Sequence, residues 1–201
     1  YQGRGNLPLF FKRSEFMKVL IAMPTAKFIE PQTYVSIYNL GTSDIETSFV
    51  AIEGYSVDTS RNMLVKEARN QKADYILWVD SDMILPEDAL KRLLSHNKDI
   101  VSGAYAFKDI HSQDIIAFSV DNKRVPLSEI DGLTEVGGIG FGCCLTKTDV
   151  FDKIDFPYFV FGEDYGEDIY FCRKARAAGY KIYLDPDVKC GHIGKINFQV
   201  R

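Results

Sequence analysis

Several classes of protein are made unlikely by what these 201 residues do not contain. No apolar run approaches the roughly 20 residues a membrane-spanning helix needs, and the opening stretch does not read as a secretory signal, so a soluble cytoplasmic protein is expected. There is no basic excess: 24 Lys and Arg stand against 28 Asp and Glu, a net charge of −4 that argues against a nucleic-acid-binding surface. Cysteine is scarce and unpatterned. Cys143, Cys144, Cys172 and Cys190 form no Cys-x-x-Cys pair, which speaks against zinc and for free thiols in a reducing compartment. Internal repeats and low-complexity segments are also missing. The one glycine-rich run, Gly137 to Gly142, lacks the Lys-Ser/Thr ending of a phosphate loop and does not follow a first strand. Close backbone approach to a substrate, or a tight strand corner, explains it better.

What is present is a globular composition, 46% hydrophobic and 26% charged, in a chain long enough for one domain with a substantial core. Residues 1–16, broken by Gly3, Gly5 and Pro8, read as an expression-vector remnant or an N-terminal arm, and 17–201 as a single domain. Lys18 to Met23 is a buried first strand. Pro31 opens a helix with Tyr34, Ile37 and Tyr38 at helical spacing and Gly41 as its stop. Thr47 to Ile52 is a second strand, and Asp58-Thr59-Ser60 offers capping oxygens for a helix from about Arg61 to Gln71. Tyr75 to Val79 is a third strand. Strand–helix–strand–helix–strand at this spacing predicts a parallel sheet with right-handed crossovers. A helix after Pro86, buried through Ala89, Leu90, Leu93 and Leu94, leads to a strand over Asp99–Tyr105. Ile115–Val120 and Glu135–Ile139 then read as strands joined by turns, so the second half has a more antiparallel character. A short helix over Thr148–Ile154, an aromatic loop from Phe156 to Tyr165, a helix after Asp168 and a strand over Lys181–Leu184 complete the expectation, with Asp185-Pro186-Asp187 as a turn.

The third strand ends in Asp80-Ser81-Asp82, two carboxylates one residue apart. Alternate side chains at a strand end point the same way, and carboxylate oxygens suit Mg²⁺ or Mn²⁺ bridging to a phosphate. Ligands of such sheets bind beyond the carboxyl ends of the strands, where Pro24-Thr25, the Glu53–Ser60 loop and Asp80–Asp82 all fall. A second cluster of carboxylates, Glu163, Asp164, Glu167 and Asp168, and an isolated His192 lie downstream. At the start of a helix, Glu167 and Asp168 also suit the helix dipole.

The ordered set resembles glycosyltransferases of the GT-A fold, in the style of family 2. The matching segments are Val19–Thr25, Ser60-Arg61-Asn62, Asp80-Ser81-Asp82, Glu167-Asp168 leading into Ile169–Arg173, Gly179–Ile182 and His192. The resemblance implies a Rossmann-like, three-layer α/β/α fold with a mixed, mostly parallel central sheet, residues 17–106 forming the donor half and 107–201 the acceptor half. It implies transfer of a sugar from a nucleotide-diphosphate donor, a UDP-sugar being favoured, to a hydroxyl of a glycan, lipid or protein. Asp82 and His192 would ligate Mn²⁺ or Mg²⁺. Asp80 would lie near the ribose or diphosphate, and Arg61 would pair with the diphosphate or fix Asp80. Pro24, Thr25, Glu53, Asp58 and Ser81 would contact the nucleotide. Asp168 would be the general base of an inverting reaction, with Glu167 as its neighbour or an acceptor contact. Gly138, Phe141, Glu163 and Asp164 would line the acceptor side; approach of Glu163 and Asp164 to the donor would instead favour retention. A non-catalytic nucleotide-sugar or carbohydrate binder is the alternative.

Overall fold

A computed structural model describes residues 16–109, 114–163 and 165–195. The elements in chain order are β1 (Lys18–Thr25), α1 (Pro31–Tyr38), β2 (Glu46–Glu53), α2 (Val57–Gln71), β3 (Tyr75–Val79), β4 (Met83–Ile84) and α3 (Ala89–Ser95). They continue with β5 (Ile100–Ala104), β6 (Ala117–Phe118), β7 (Thr134–Val136), β8 (Gly138–Ile139), β9 (Cys143–Lys147), α4 (Glu167–Ala177), β10 (Ile182–Lys189) and β11 (Gly191–His192). Seven strands form one sheet in the order β2-β1-β3-β9-β5-β10-β7. β2, β1, β3, β5 and β10 share one direction, while β9 and β7 run against them. The architecture is therefore a mixed α/β layer structure with a mostly parallel central sheet, as the sequence predicts.

The alternation of side chains along each strand explains the layers. Leu20 and Ala22 of β1 and Ile76 and Trp78 of β3 face a core completed by Leu64, Val65 and Ala68 of α2 and Phe171, Cys172 and Ala175 of α4. Val19, Ile21, Met23, Leu77 and Val79 face the opposite core, closed by Ala89, Leu90 and Leu93 of α3. Both faces of the sheet are covered, so its inner strands read as unbroken apolar runs. The one tryptophan, Trp78, is fully buried, with its indole N–H donating to the Thr146 hydroxyl at 2.9 Å.

Several local expectations need correction. Tyr34 and Tyr38 are exposed; α1 instead buries Thr33 and Ser36, the smaller side chains that let it lie close to β4. α2 starts at Val57 with Ser56 in the extended N-cap conformation, so Asp58, Thr59 and Ser60 lie inside its first turn. Asp185-Pro186-Asp187 is no turn, because β10 runs through it with a register shift between Asp185 and Lys189. The buried Asp185 carboxylate accepts from Arg92 at 2.8 Å and contacts His96 at 2.7 Å, which ties this irregular stretch to α3. Of Ile115–Val120 only Ala117–Phe118 forms a strand, flanked by an isolated bridge at Ile115. β9, at the centre of the sheet, has no sequence-based counterpart. Among the described residues no helix is long and apolar enough to cross a membrane.

Candidate functional site

The site assembles around a buried arginine. Arg61, on the first turns of α2, is 2% exposed and donates to Asp80 Oδ1 at 2.9 Å and to Glu167 Oε1. Its guanidinium lies over the rings of Phe141 and Phe159, 5.3 and 5.9 Å from their centroids. Burial disfavours the charge, and the surrounding carboxylates Asp80, Glu167 and Asp168 more than offset that penalty. One side chain thus joins the end of β3 to the start of α4. Of the two roles expected for Arg61, this geometry is the one that fixes Asp80. Glu167 is almost fully buried in the same cluster, and burial raises its pKa against the pull of Arg61. It is an anchor of α4. The neighbouring Asn62 does similar work: its side-chain carbonyl accepts from Tyr158 and Phe159 N–H, and its amide donates to the Phe159 carbonyl at 2.7 Å.

Asp82 and His192 are brought together by a short ladder. β11 pairs antiparallel with β4, with His192 opposite Met83, and Ile193 N–H donates to the Asp82 carbonyl at 2.8 Å. His192 Nε2 then lies 3.5 Å from Asp82 Oδ1. Its other ring nitrogen, Nδ1, sits 2.8 Å from the Ala106 carbonyl, which can only accept. The proton therefore belongs on Nδ1, and in the neutral ring the lone pair of Nε2 faces a carboxylate oxygen. Two acceptors so placed need a positive centre between them, either a second proton on Nε2, which makes an imidazolium–Asp82 ion pair, or a metal ion. Two donors of one octahedral ion, each at about 2.1 Å, lie about 3 Å apart, so the pair fits a hard divalent cation. Among the described residues no three His, Cys, Asp or Glu side chains form a metal-binding group, so substrate oxygens and water would complete the shell. Lys108 forms an ion pair with the second oxygen, Asp82 Oδ2. Burial raises the Asp82 pKa, but Lys108 on one oxygen and a protonated His192 on the other outweigh this and lower it to about 2.

Asp168 lies in the first turn of α4, half-buried, with Oδ1 accepting from the Ile169 N–H at 2.7 Å. A Cβ on Gly166 would come within 2.7 Å of that oxygen, so glycine leaves room for the folded-back carboxylate. Burial pushes its pKa up, against the pull of Arg61, and Asp80 adds to the rise. The helix dipole does not win here; desolvation does. Beneath the carboxylates lies Tyr105, buried, with its hydroxyl accepting from the Gly142 N–H at 2.8 Å and its ring edge-on to His192 at 5.5 Å. Gly142 in turn accepts from Asp80 N–H through its carbonyl at 3.3 Å.

This explains the glycine run. A Cβ at Gly140 would meet the Tyr105 hydroxyl at 2.0 Å, and one at Gly137 would meet the Ser119 carbonyl oxygen at 2.2 Å. Gly138 is buried against Ile169, and Phe141, 1% exposed, packs under Arg61. Neither is placed at an acceptor surface: the run is the tight corner, and both residues support the site from within. Glu163 is exposed on the loop before α4, and Asp164 lies outside the described residues. Thr25 and Glu53 pair across the ends of β1 and β2 beside the buried Pro24, and the Thr25 hydroxyl donates to the Phe28 carbonyl. Asp58, in the first turn of α2, has one oxygen buried and lacking a hydrogen-bond partner among the described residues. The Ser81 carbonyl accepts from Glu30 N–H. A cleft of about 370 Å³ opens beside Ser81 and Asp82, lined also by Lys27, Phe28, Lys108 and Lys195. The sequence does not single out Tyr105 or these lysines. Nothing in their spacing marks them, since each comes from a separate loop or strand end.

The chain matches no protein-family model and no curated protein sequence. Its fold is similar to the crystal structure of A197 from STIV, with a TM-score of 0.63 at 18% identity over 92% of this chain and 98% of that one. It is also similar to the crystal structure of GalNAc-T7 with UDP, GalNAc and Mn²⁺, with a TM-score of 0.57 at 11% identity, covering 91% of this chain and 45% of that one. At these identities the likeness establishes the architecture, and the architecture is GT-A-like.

Proposed function

We propose that the protein is a glycosyltransferase that moves a sugar from a nucleotide-diphosphate donor, preferably a UDP-sugar, to an acceptor hydroxyl with inversion. The observation that carries this reading is the Asp82–His192 pair, 3.5 Å apart with the imidazole tautomer fixed by Ala106, beside a lysine-lined cleft at the carboxyl edge of the sheet. The order of motifs resembling family 2 and a neighbour solved with UDP and Mn²⁺ support it. Asp82 and His192 would hold Mn²⁺ or Mg²⁺, which as a Lewis acid stabilises a departing diphosphate. Asp80, held by Arg61 through Oδ1, follows β3 next to the end of β1, and Thr25, Glu53 and Asp58 on the neighbouring segments would contact the nucleoside. Asp168 takes the proton of the acceptor hydroxyl as the acceptor oxygen bonds to the anomeric carbon. The bond from that carbon to the phosphate oxygen breaks with its electron pair going to the diphosphate. Its burial-raised pKa suits a base better than an ordinary carboxylate does.

The test is a screen of UDP-, GDP- and dTDP-sugars for Mn²⁺-dependent turnover, hydrolysis included. Turnover of one class that disappears with chelator supports the reading. Saturable donor binding with no turnover under any condition sinks the enzymatic part and leaves a nucleotide-sugar binder.

A further inference from the structure

We propose that Lys108 is a built-in counter-cation of the site, which competes with the divalent ion for Asp82 and turns to the donor diphosphate once that ion is bound. The second half rests on the transferase reading; the first does not. The two oxygens of Asp82 are divided between two partners. Oδ1 faces His192 Nε2, and Oδ2 carries the Lys108 ammonium. A divalent ion drawn to Asp82 therefore meets a carboxylate whose charge is already compensated. The ammonium also reaches Asp82 from solvent, with 41% of its side chain exposed, and exposed lysine–carboxylate pairs are weak enough to be displaced.

The surroundings say where the displaced ammonium goes. Lys108 lines the cleft of about 370 Å³ together with Lys27 and Lys195. Lys195 is held there by Glu30 at 2.9 Å and lies 4.4 Å from the centroid of the Phe28 ring. A chain of net charge −4 thus gathers three ammonium groups around one cavity beside its candidate cation site. Glu30, the other carboxylate lining this cavity, is already paired with Lys195, so a diphosphate placed there is the anion open to the freed ammonium. Without nucleotide, Lys108 keeps cation affinity low; with nucleotide, the same charge strengthens binding. Cation and diphosphate then bind cooperatively, each removing the other's competitor for a charge partner.

The test uses the intact chain and Mn²⁺ alone, followed by electron paramagnetic resonance of the free ion. Lys108→Met removes the competing charge and should bind Mn²⁺ about fivefold more tightly than the native protein. The same variant should bind UDP in saturating Mn²⁺ less tightly, a change of opposite sign that a structural role does not give. Lys108→Arg should follow the native protein in both. Lys195→Met, whose partner is Glu30, should leave Mn²⁺ affinity as it is. Unchanged or weaker Mn²⁺ binding in Lys108→Met overturns the proposal, as does the absence of Mn²⁺ binding in both proteins. Tighter Mn²⁺ binding in a protein that turns over no donor upholds the competition and sinks only the transferase reading.

Discussion

Arg61 carries the strongest single constraint on the site, because its charge is buried and its two carboxylate partners come from residues 80 and 167. Removing it leaves Asp80 and Glu167 facing each other's charge without compensation. Arg61→Met should destabilise the protein by about 3 kcal/mol in urea unfolding, more than a surface ion pair accounts for. Asp168 makes a different demand. Asp168→Asn keeps the size and the bond to the Ile169 N–H but cannot accept a proton, so transfer should fall by about 10²–10⁴-fold while donor affinity holds. The pH dependence has a definite sign. The base works deprotonated and burial raises its pKa, so activity should be lost as pH falls through a value above the ordinary carboxylate range. An acid limb at or below the ordinary carboxylate value would exclude Asp168 as the base.

Among elements, the corner between β8 and β9 is built on Tyr105. Gly140→Ala puts a methyl group where the Tyr105 hydroxyl stands and should cost about 1–3 kcal/mol. Tyr105→Phe leaves the Gly142 N–H without its acceptor and should cost about 1–2 kcal/mol. Together they should cost less than the sum, since removing the hydroxyl makes room for the methyl; equilibrium unfolding of the three variants measures the difference. The sequence makes the regular elements legible for simple reasons. β1, β3 and β5 are apolar runs closed by turn residues, and α3 and α4 have periodic apolar stripes. What escapes it depends on partners distant in the chain. β9 hides its central place behind a glycine run, and β4 and β11 are two residues each, too short for any periodicity. Yet that last pairing is what sets His192 beside Asp82. The Asp-x-Asp pair, Arg61, Glu167-Asp168 and His192 were legible as a set, whereas Lys108 and Tyr105 became visible only through contacts with it.

At the scale of the whole molecule, two sets of carboxylates respond to acid in opposite ways. Asp185, nearly buried, would have its pKa raised by burial, but hydrogen bonds from Arg92 and His96 hold it below the ordinary value. The stability it contributes is present above the ordinary carboxylate pKa and is lost as pH falls through its depressed folded value. Glu167 and Asp168 have raised values, so their protonation favours the folded state as the medium is acidified. Asp185→Asn should therefore lower stability at neutral pH and flatten its decline below about pH 4, as seen by unfolding at a series of pH values. The central claim, that one cation at Asp82 and His192 holds a nucleoside diphosphate on this edge of the sheet, is tested most directly by calorimetric titration of UDP. The account predicts saturable binding in Mn²⁺, none in chelator, and none in Asp82→Ala under either condition. Equal UDP affinity with and without chelator, or Mn²⁺-dependent binding that survives Asp82→Ala, would contradict it.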